Sequence, residues 1–213
     1  LPLFEAETII TDPIWPNMEH VFPGVDAKRL LGEALALARV ERVVVQIGCG
    51  SDPRFLEAVP ERFPFVRTCW LEYACPSYQG RILNTGDIGY VFGKPPAPAK
   101  GRQVLPGKVM STTVDKGFTR WNWDDSTQRK LGRDHSAVMP HPTPRKLAHV
   151  SWLMNWFGGA TVIDPFMGSG TTLLAAKNHG KRAIGFEIEE RYCEIAAKRL
   201  AQESMNFDGE VVA

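Results

Sequence analysis

Apolar and polar positions along this chain fall into short apolar runs separated by amphipathic stretches, the alternation that builds a largely parallel sheet covered by helices. Thr8 to Thr11, Arg42 to Ile47, Val66 to Glu72 and Ile88 to Phe92 predict strands, and Ala27 to Arg39 and Pro53 to Val59 predict helices between them. Pro142 to Phe157 predicts a further helix, because Leu147, Val150, Met154 and Phe157 recur at helical spacing and Gly158-Gly159 ends them. Thr161 to Phe166, Thr171 to Asn178 and Arg182 to Glu187 then read strand, helix, strand. Glu189 to about Gln202 reads as a last helix, with acids in its first turn and bases in its last. Lys94 to Ala99, KPPAPA, is an extended proline-rich exit, and the segment after it lacks sustained periodicity. The expected organisation is one α/β domain over residues 1-213: a first half at 1-93, an insert or loop at 94-135, and a second half at 136-213.

Composition narrows the class of protein. With 213 residues, 44% apolar and 23% charged, the chain is long enough to bury a full sheet core and is too apolar for a disordered segment. No run of about 18 apolar residues occurs, so no membrane-spanning helix is expected. No signal-peptide pattern opens the chain, and a cytoplasmic location is the expectation; the first residue is Leu1, so the native start is expected to lie outside this sequence. Cys49, Cys69, Cys75 and Cys193 form no C-x-x-C pair, and His20, His135, His141, His149 and His179 show no ligand spacing. Neither disulfides nor a metal site is expected. The net charge of +1 conceals a local excess, because ten Lys and Arg face four Asp between positions 81 and 133. That stretch is either a surface for phosphates or an ordinary solvated loop.

The most informative segment is Asp164-Pro-Phe-Met-Gly-Ser-Gly-Thr-Thr172, which sets a carboxylate and two glycines at a strand-to-helix junction. Gly168 and Gly170 can take positive φ and carry no Cβ, so a ligand can approach the backbone near the helix start. Glu187 ends the next strand, where a carboxylate can accept hydrogen bonds from ribose hydroxyls. A phosphate-cradling P-loop wants a lysine before the final threonine, and there is none. A dinucleotide site wants a third glycine where Leu173 stands. S-adenosylmethionine has no phosphate and suits acidic strand ends facing its ammonium and ribose. A tight structural turn with an incidental acid is the bland alternative.

Two further segments bear on chemistry. Val43-Val-Val-Gln-Ile-Gly-Cys-Gly50 offers a second glycine loop, but Ser51-Asp52-Pro53-Arg54 follows it and Gln46 stands where its acid belongs. We read it as a strand, turn and helix of the sheet core. Ile9-Ile-Thr-Asp-Pro-Ile-Trp15 puts a carboxylate, a proline and an aromatic directly after a strand. An aromatic amine is a poor nucleophile until its hydrogens are held and its nitrogen is pushed toward tetrahedral geometry. Asp12 can accept one N–H and the Pro13 carbonyl the other, while Trp15 stacks on the ring. A D-P turn after a strand with a buried tryptophan is the structural alternative.

Together, in this order, the two motifs resemble the β-class amino-methyltransferases of DNA, the N6-adenine and N4-cytosine DNA methylase family. His141-Pro-Thr-Pro-Arg-Lys-Leu147 is similar to the family segment just before the cofactor motif, and Gly185-Phe-Glu-Ile-Glu-Glu-Arg-Tyr192 to its second cofactor strand. The resemblance covers nearly the whole chain except roughly residues 94 to 135. It implies a permuted, seven-stranded, Rossmann-like S-adenosylmethionine-dependent methyltransferase sheet with helices on both faces and the substrate half first. By position, Asp12, Pro13, Ile14 and Trp15 would form the catalytic loop. Asp164, Phe166, Gly168, Ser169, Gly170, Thr171, Thr172 and Glu187 would hold cofactor, with Thr143 assisting. Direct displacement at the sulfonium methyl is implied, with no covalent intermediate, no metal and no role for Cys193.

Asp at position 12 favours adenine N6 by this resemblance, with cytosine N4, RNA adenine, or a catalytically weak nucleic-acid-binding protein of the same fold as alternatives. The acceptor base would leave a DNA duplex to be reached. Ile14 replaces the family's second proline, and Lys146 stands where proline is usual. Residues 94 to 135 occupy the place of the family's target-recognition insert. There Arg120, Trp121 and Trp123 either read and stack on nucleobases or pin a long loop to the sheet. A homodimer would add contact surface, and a companion nuclease in a restriction-modification pair fits the family.

Overall fold

The computed structural model describes residues 6–14, 24–79, 81–96, 108–110 and 145–201, without the side chains of 74–79 and 108–110. Its strands are β1 (Thr8–Thr11), β2 (Arg42–Gly48), β3 (Phe65–Gln79), β4 (Ile82–Gly93), β5 (Lys108–Met110), β6 (Thr161–Asp164) and β7 (Arg182–Gly185). Its helices are α1 (Ala27–Leu37), α2 (Leu147–Phe157), α3 (Thr171–Asn178) and α4 (Glu190–Ala201), with a 3-10 turn at Pro53–Ala58. They form one mixed sheet in the order β5-β3-β4-β2-β1-β6-β7.

Strand β1 is buried along its whole length: Ile9 and Ile10 stand side by side at its centre, and the hydroxyls of Thr8 and Thr11 at its ends are satisfied by the Phe157 carbonyl and Asp164. Successive side chains serve opposite faces. Ile10 joins Val44, Val150, Leu153, Met154 and Phe157 beneath α2 and α3, and Ile9 joins Leu31, Leu35, Val43, Val45 and Phe55 beneath α1 and the 3-10 turn. Helix α1 starts where Asp26 accepts a hydrogen bond from the Arg29 amide at 2.9 Å.

Strand β1 pairs in parallel with both β2 and β6, although about 150 residues separate β1 from β6 in the chain. Their carboxyl ends therefore open on one edge of the sheet, where ligands of open α/β sheets gather. Strand β4 runs antiparallel between β2 and β3 and brings its N-terminal half, including Asp87 opposite Gly48, to that same edge.

The outer strands differ from expectation in length. The readings Val66 to Glu72 and Ile88 to Phe92 become a long antiparallel hairpin, with register shifts between Phe65/Arg67 and Glu72/Ser77. These irregularities absorb extra residues without ending the pairing, so the polar, glycine-containing stretch 79–87 does not mark one long loop. Helix α2 starts at Leu147, later than Pro142; Arg145 and Lys146 precede it, and 141–144 lie outside the described residues.

Candidate functional site

The two sequence motifs lie on adjacent strands and are joined by a side-chain hydrogen bond. Thr11, the last residue of β1, donates its hydroxyl to Asp164 Oδ1 at the end of β6, at 2.7 Å. Asp164 is buried and also receives the Phe166 amide at 3.1 Å and the Thr172 hydroxyl. Burial pushes its carboxyl up to about 6, the nearby Glu187 charge adds to that, and the three hydrogen bonds oppose it.

Gly168 and Gly170 do take left-handed backbone, with φ of 48 and 79. Gly170, however, turns its bare face to protein, because a Cβ there would lie 2.7 Å from Ala196 Cβ on α4. Arg199 on the same helix donates to the Ser169 carbonyl at 2.6 Å and the Thr171 hydroxyl at 3.3 Å, so Ser169 and Thr171 are buried parts of the loop's own scaffold. The loop amides are committed in the same way: Met167 to the Phe186 carbonyl, Gly168 to Glu187, and Gly170 to the Met167 carbonyl. Glu187 accepts from Gly168 at 3.0 Å and from the Ile188 and Glu189 amides at 2.9 Å each. Ile188 beside it is 95% exposed, a large apolar side chain at the lip of the sheet edge. A loop in which the amides of Met167, Gly168 and Gly170 are already bonded, and whose flanks carry two carboxylates, is unfavourable for a phosphate. It suits a cationic, ribose-bearing ligand with an apolar ring to cover.

Across β1 lies the second carboxylate. Asp12 follows the strand, Pro13 is buried and Ile14 half-buried. Arg145, just before α2, pairs through Nε with Asp12 Oδ2, and its Nη1 lies 3.3 Å from Asp87 Oδ2. Asp87 is almost fully buried and also receives the Tyr73 hydroxyl at 2.5 Å and the Gln46 side-chain amide at 3.1 Å. Burial, then Asp87, hold the Tyr73 phenol far above its ordinary pKa, so it remains a donor. Lys146, which stands where the family usually has proline, sits with its ammonium 4.8 Å from the Tyr73 ring centre.

The second glycine loop, at Gly48 to Gly50, lies one strand further along, on β2, and neither glycine takes positive φ. Its Gln46 is spent on Asp87. Trp15, Thr143, Arg120, Trp121 and Trp123 lie outside the described residues. Among the described residues no group of three or more His, Cys, Asp or Glu is placed to hold a metal, and no helix is long and apolar enough to cross a membrane.

The sequence alone assigns no site role to Thr11, Tyr73 or Asp87; Gln46 enters it only as a residue standing where an acid belongs, and Arg145 only as part of the 141–147 segment. The signal for two of them was visible: Gln46 interrupts Val43-Val-Val-Gln-Ile47, and Asp87 precedes the apolar run from Ile88. A polar side chain inside a buried strand needs a partner, and here the two are partners of each other.

Residues 86–198 match the family model N6_N4_Mtase, described as DNA methylase. The chain belongs to this family. Among relatives, the Type II methyltransferase M.SmaI of Serratia marcescens is 33% identical over 167 residues, covering 71% of this chain and 54% of that protein. The chain spans between 27% and 54% of the length of the first curated relatives it matches. Among solved structures, the M1.HpyAVI-SAM complex superposes with a TM-score of 0.61 at 22% identity, over 94% of this chain and 91% of that one. PvuII DNA methyltransferase, cytosine-N4-specific, does so with a TM-score of 0.61 at 14% identity, over 94% and 81%. These likenesses establish an α/β methyltransferase fold.

Proposed function

We propose that this chain transfers a methyl group from S-adenosylmethionine to an exocyclic amino nitrogen in DNA, adenine N6 in preference to cytosine N4. The observation that carries the reading is the Thr11 to Asp164 hydrogen bond, which ties the strand that ends at the acceptor carboxylate to the strand that opens the cofactor loop. S-adenosylmethionine, when bound, supplies an electrophilic methyl on a sulfonium cation. Asp164 and Glu187 give the loop the negative charge that attracts a cation, and Glu187 retains acceptor capacity for ribose hydroxyls beyond its three amide donors. Ile188 offers an apolar cover for an adenine ring.

On the acceptor side, Asp12 holds one amino hydrogen and the Pro13 carbonyl the other. That draws the nitrogen lone pair out of ring conjugation and positions it for attack. Trp15 stacks on the base, which must leave the duplex to reach this edge of the sheet. Asp rather than Ser at position 12 favours adenine, by resemblance within the family; the PvuII protein, cytosine-N4-specific, shares the fold, so the fold itself does not choose the base.

Mass spectrometry of nucleosides from duplex DNA incubated with the protein and S-adenosylmethionine tests the proposal. N6-methyladenine is the expected product. N4-methylcytosine would move the assignment to the other base, and methylation of RNA alone would replace DNA as substrate. Cofactor bound in stoichiometric amount with no methylated nucleoside from either would overturn the activity.

A further inference from the structure

The pair of carboxylates joined by Arg145 is more than a surface ion pair. The side chains of Arg145, Asp12 and Asp87 are 13%, 21% and 4% exposed, so all three charges are largely withdrawn from water. A buried ion cluster of this kind is a weak source of stability, because desolvation offsets most of its attraction. What it supplies is geometry. The acids come from different places in the chain, one after β1 and one from the antiparallel strand β4, and the cation comes from the segment before α2. Asp87 is itself held from two other sides, by Tyr73 on β3 and Gln46 on β2. The chain of contacts therefore runs from rigid sheet strands through Asp87 and Arg145 to the carboxylate at the end of β1.

We propose that Arg145, anchored by Asp87, Tyr73 and Gln46, is a positioning residue that fixes the Asp12 carboxylate in orientation and in its ionised, acceptor-only form. The inference rests on the reading of Asp12 as the group that holds the acceptor amine. An acceptor-only carboxylate is what that task requires, because a protonated Asp12 would offer a donor where the amine offers one as well. Pairing with a guanidinium favours the ionised form, and the planar fork sets the carboxylate's rotation, which an ammonium does not. Arg145 keeps its own charge: burial works against it, and Asp12 and Asp87 more than offset that, so its pKa is raised. Other titratable groups around the cluster are Tyr73 and Glu72 on β3, Cys49 after β2, Lys146 and His149 at α2, and Asp164 behind Thr11. Arg145 pairs directly with Asp12 through its Nε.

Arg145→Met, Arg145→Lys and Asp87→Asn separate this role from a merely structural one. Each is assayed for S-adenosylmethionine affinity by calorimetry, for methyl transfer across pH, and for titration of the Asp12 carboxyl by carbon NMR, assigned by its loss in Asp12→Asn. In Arg145→Met, kcat should fall by about 100-fold or more while cofactor affinity stays within about threefold. The Asp12 titration should move up by about one unit or more, and the acidic limb of kcat with it. Arg145→Lys should restore the titration but only part of the rate. Asp87→Asn, which removes a like charge, should move the Asp12 titration down, the opposite direction. An unchanged Asp12 titration in both Arg145→Met and Asp87→Asn overturns the proposal. So does a loss of cofactor affinity in Arg145→Met that matches its loss of rate. The NMR arm needs no turnover, so an inactive parent protein would refute the proposed function and leave this inference to be decided on its own.

Discussion

At the scale of single residues, the site depends on Asp164 doing two things at once: bridging the motifs and remaining a carboxylate in a buried setting. Thr11→Val removes its bridging donor without changing shape much. Stability should fall by about 1–3 kcal/mol, the cost of a buried acceptor left short of a partner, as measured by denaturant unfolding. The same carboxyl predicts a pH dependence. Folded Asp164 keeps its proton up to about 6, whereas its unfolded reference is 3.8, so between those values the folded chain binds more protons than the unfolded one. The contribution is complete below about 3.8 and is lost as pH rises through about 6. Asp164→Asn should therefore gain stability relative to the parent as pH rises across that window. A difference that stays flat from pH 4 to 7 would contradict burial as the cause of the raised value.

At the scale of elements, the two glycine loops make opposite predictions. Gly170 has φ of 79 and α4 packed on its bare face, so Gly170→Ala should destabilise by about 1–3 kcal/mol and weaken cofactor binding. Gly50 has ordinary φ and open space around it, so Gly50→Ala should stay within about 0.5 kcal/mol of the parent and bind cofactor as before. Thermal unfolding and calorimetry of the two variants test both. The strand and helix at 161–178 were legible because a buried strand, a glycine turn and a helix each carry a local signature. Strand β1 was legible for the same reason, and its bounds coincide with Thr8 to Thr11. The hairpin of β3 and β4 was not, because its length is set by cross-strand pairing between Ser77 and Asn84, or Gln79 and Ile82, rather than by periodicity. The Arg145 cluster escaped for a related reason. Its members are spread from position 12 to 145, and only the topology brings them together.

At the scale of the whole molecule, β1, which leads to Asp12, and β6, which leads to the Asp164 loop, are about 150 residues apart in the sequence yet lie side by side. The order of motifs in the sequence is thus immaterial to the site, provided parallel β1 and β6 open on one edge. If Asp12 holds the acceptor amine and the Asp164 loop the cofactor, as proposed, the halves are separable in function while joined in structure: loss of the Asp12 carboxylate should abolish transfer and spare cofactor binding. Asp12→Ala, assayed for transfer of a labelled methyl group to duplex DNA and for S-adenosylmethionine binding, tests this most directly. Transfer should fall by at least about 100-fold with cofactor affinity within about threefold of the parent. Methyl transfer that persists in Asp12→Ala at the parent's rate would contradict the account.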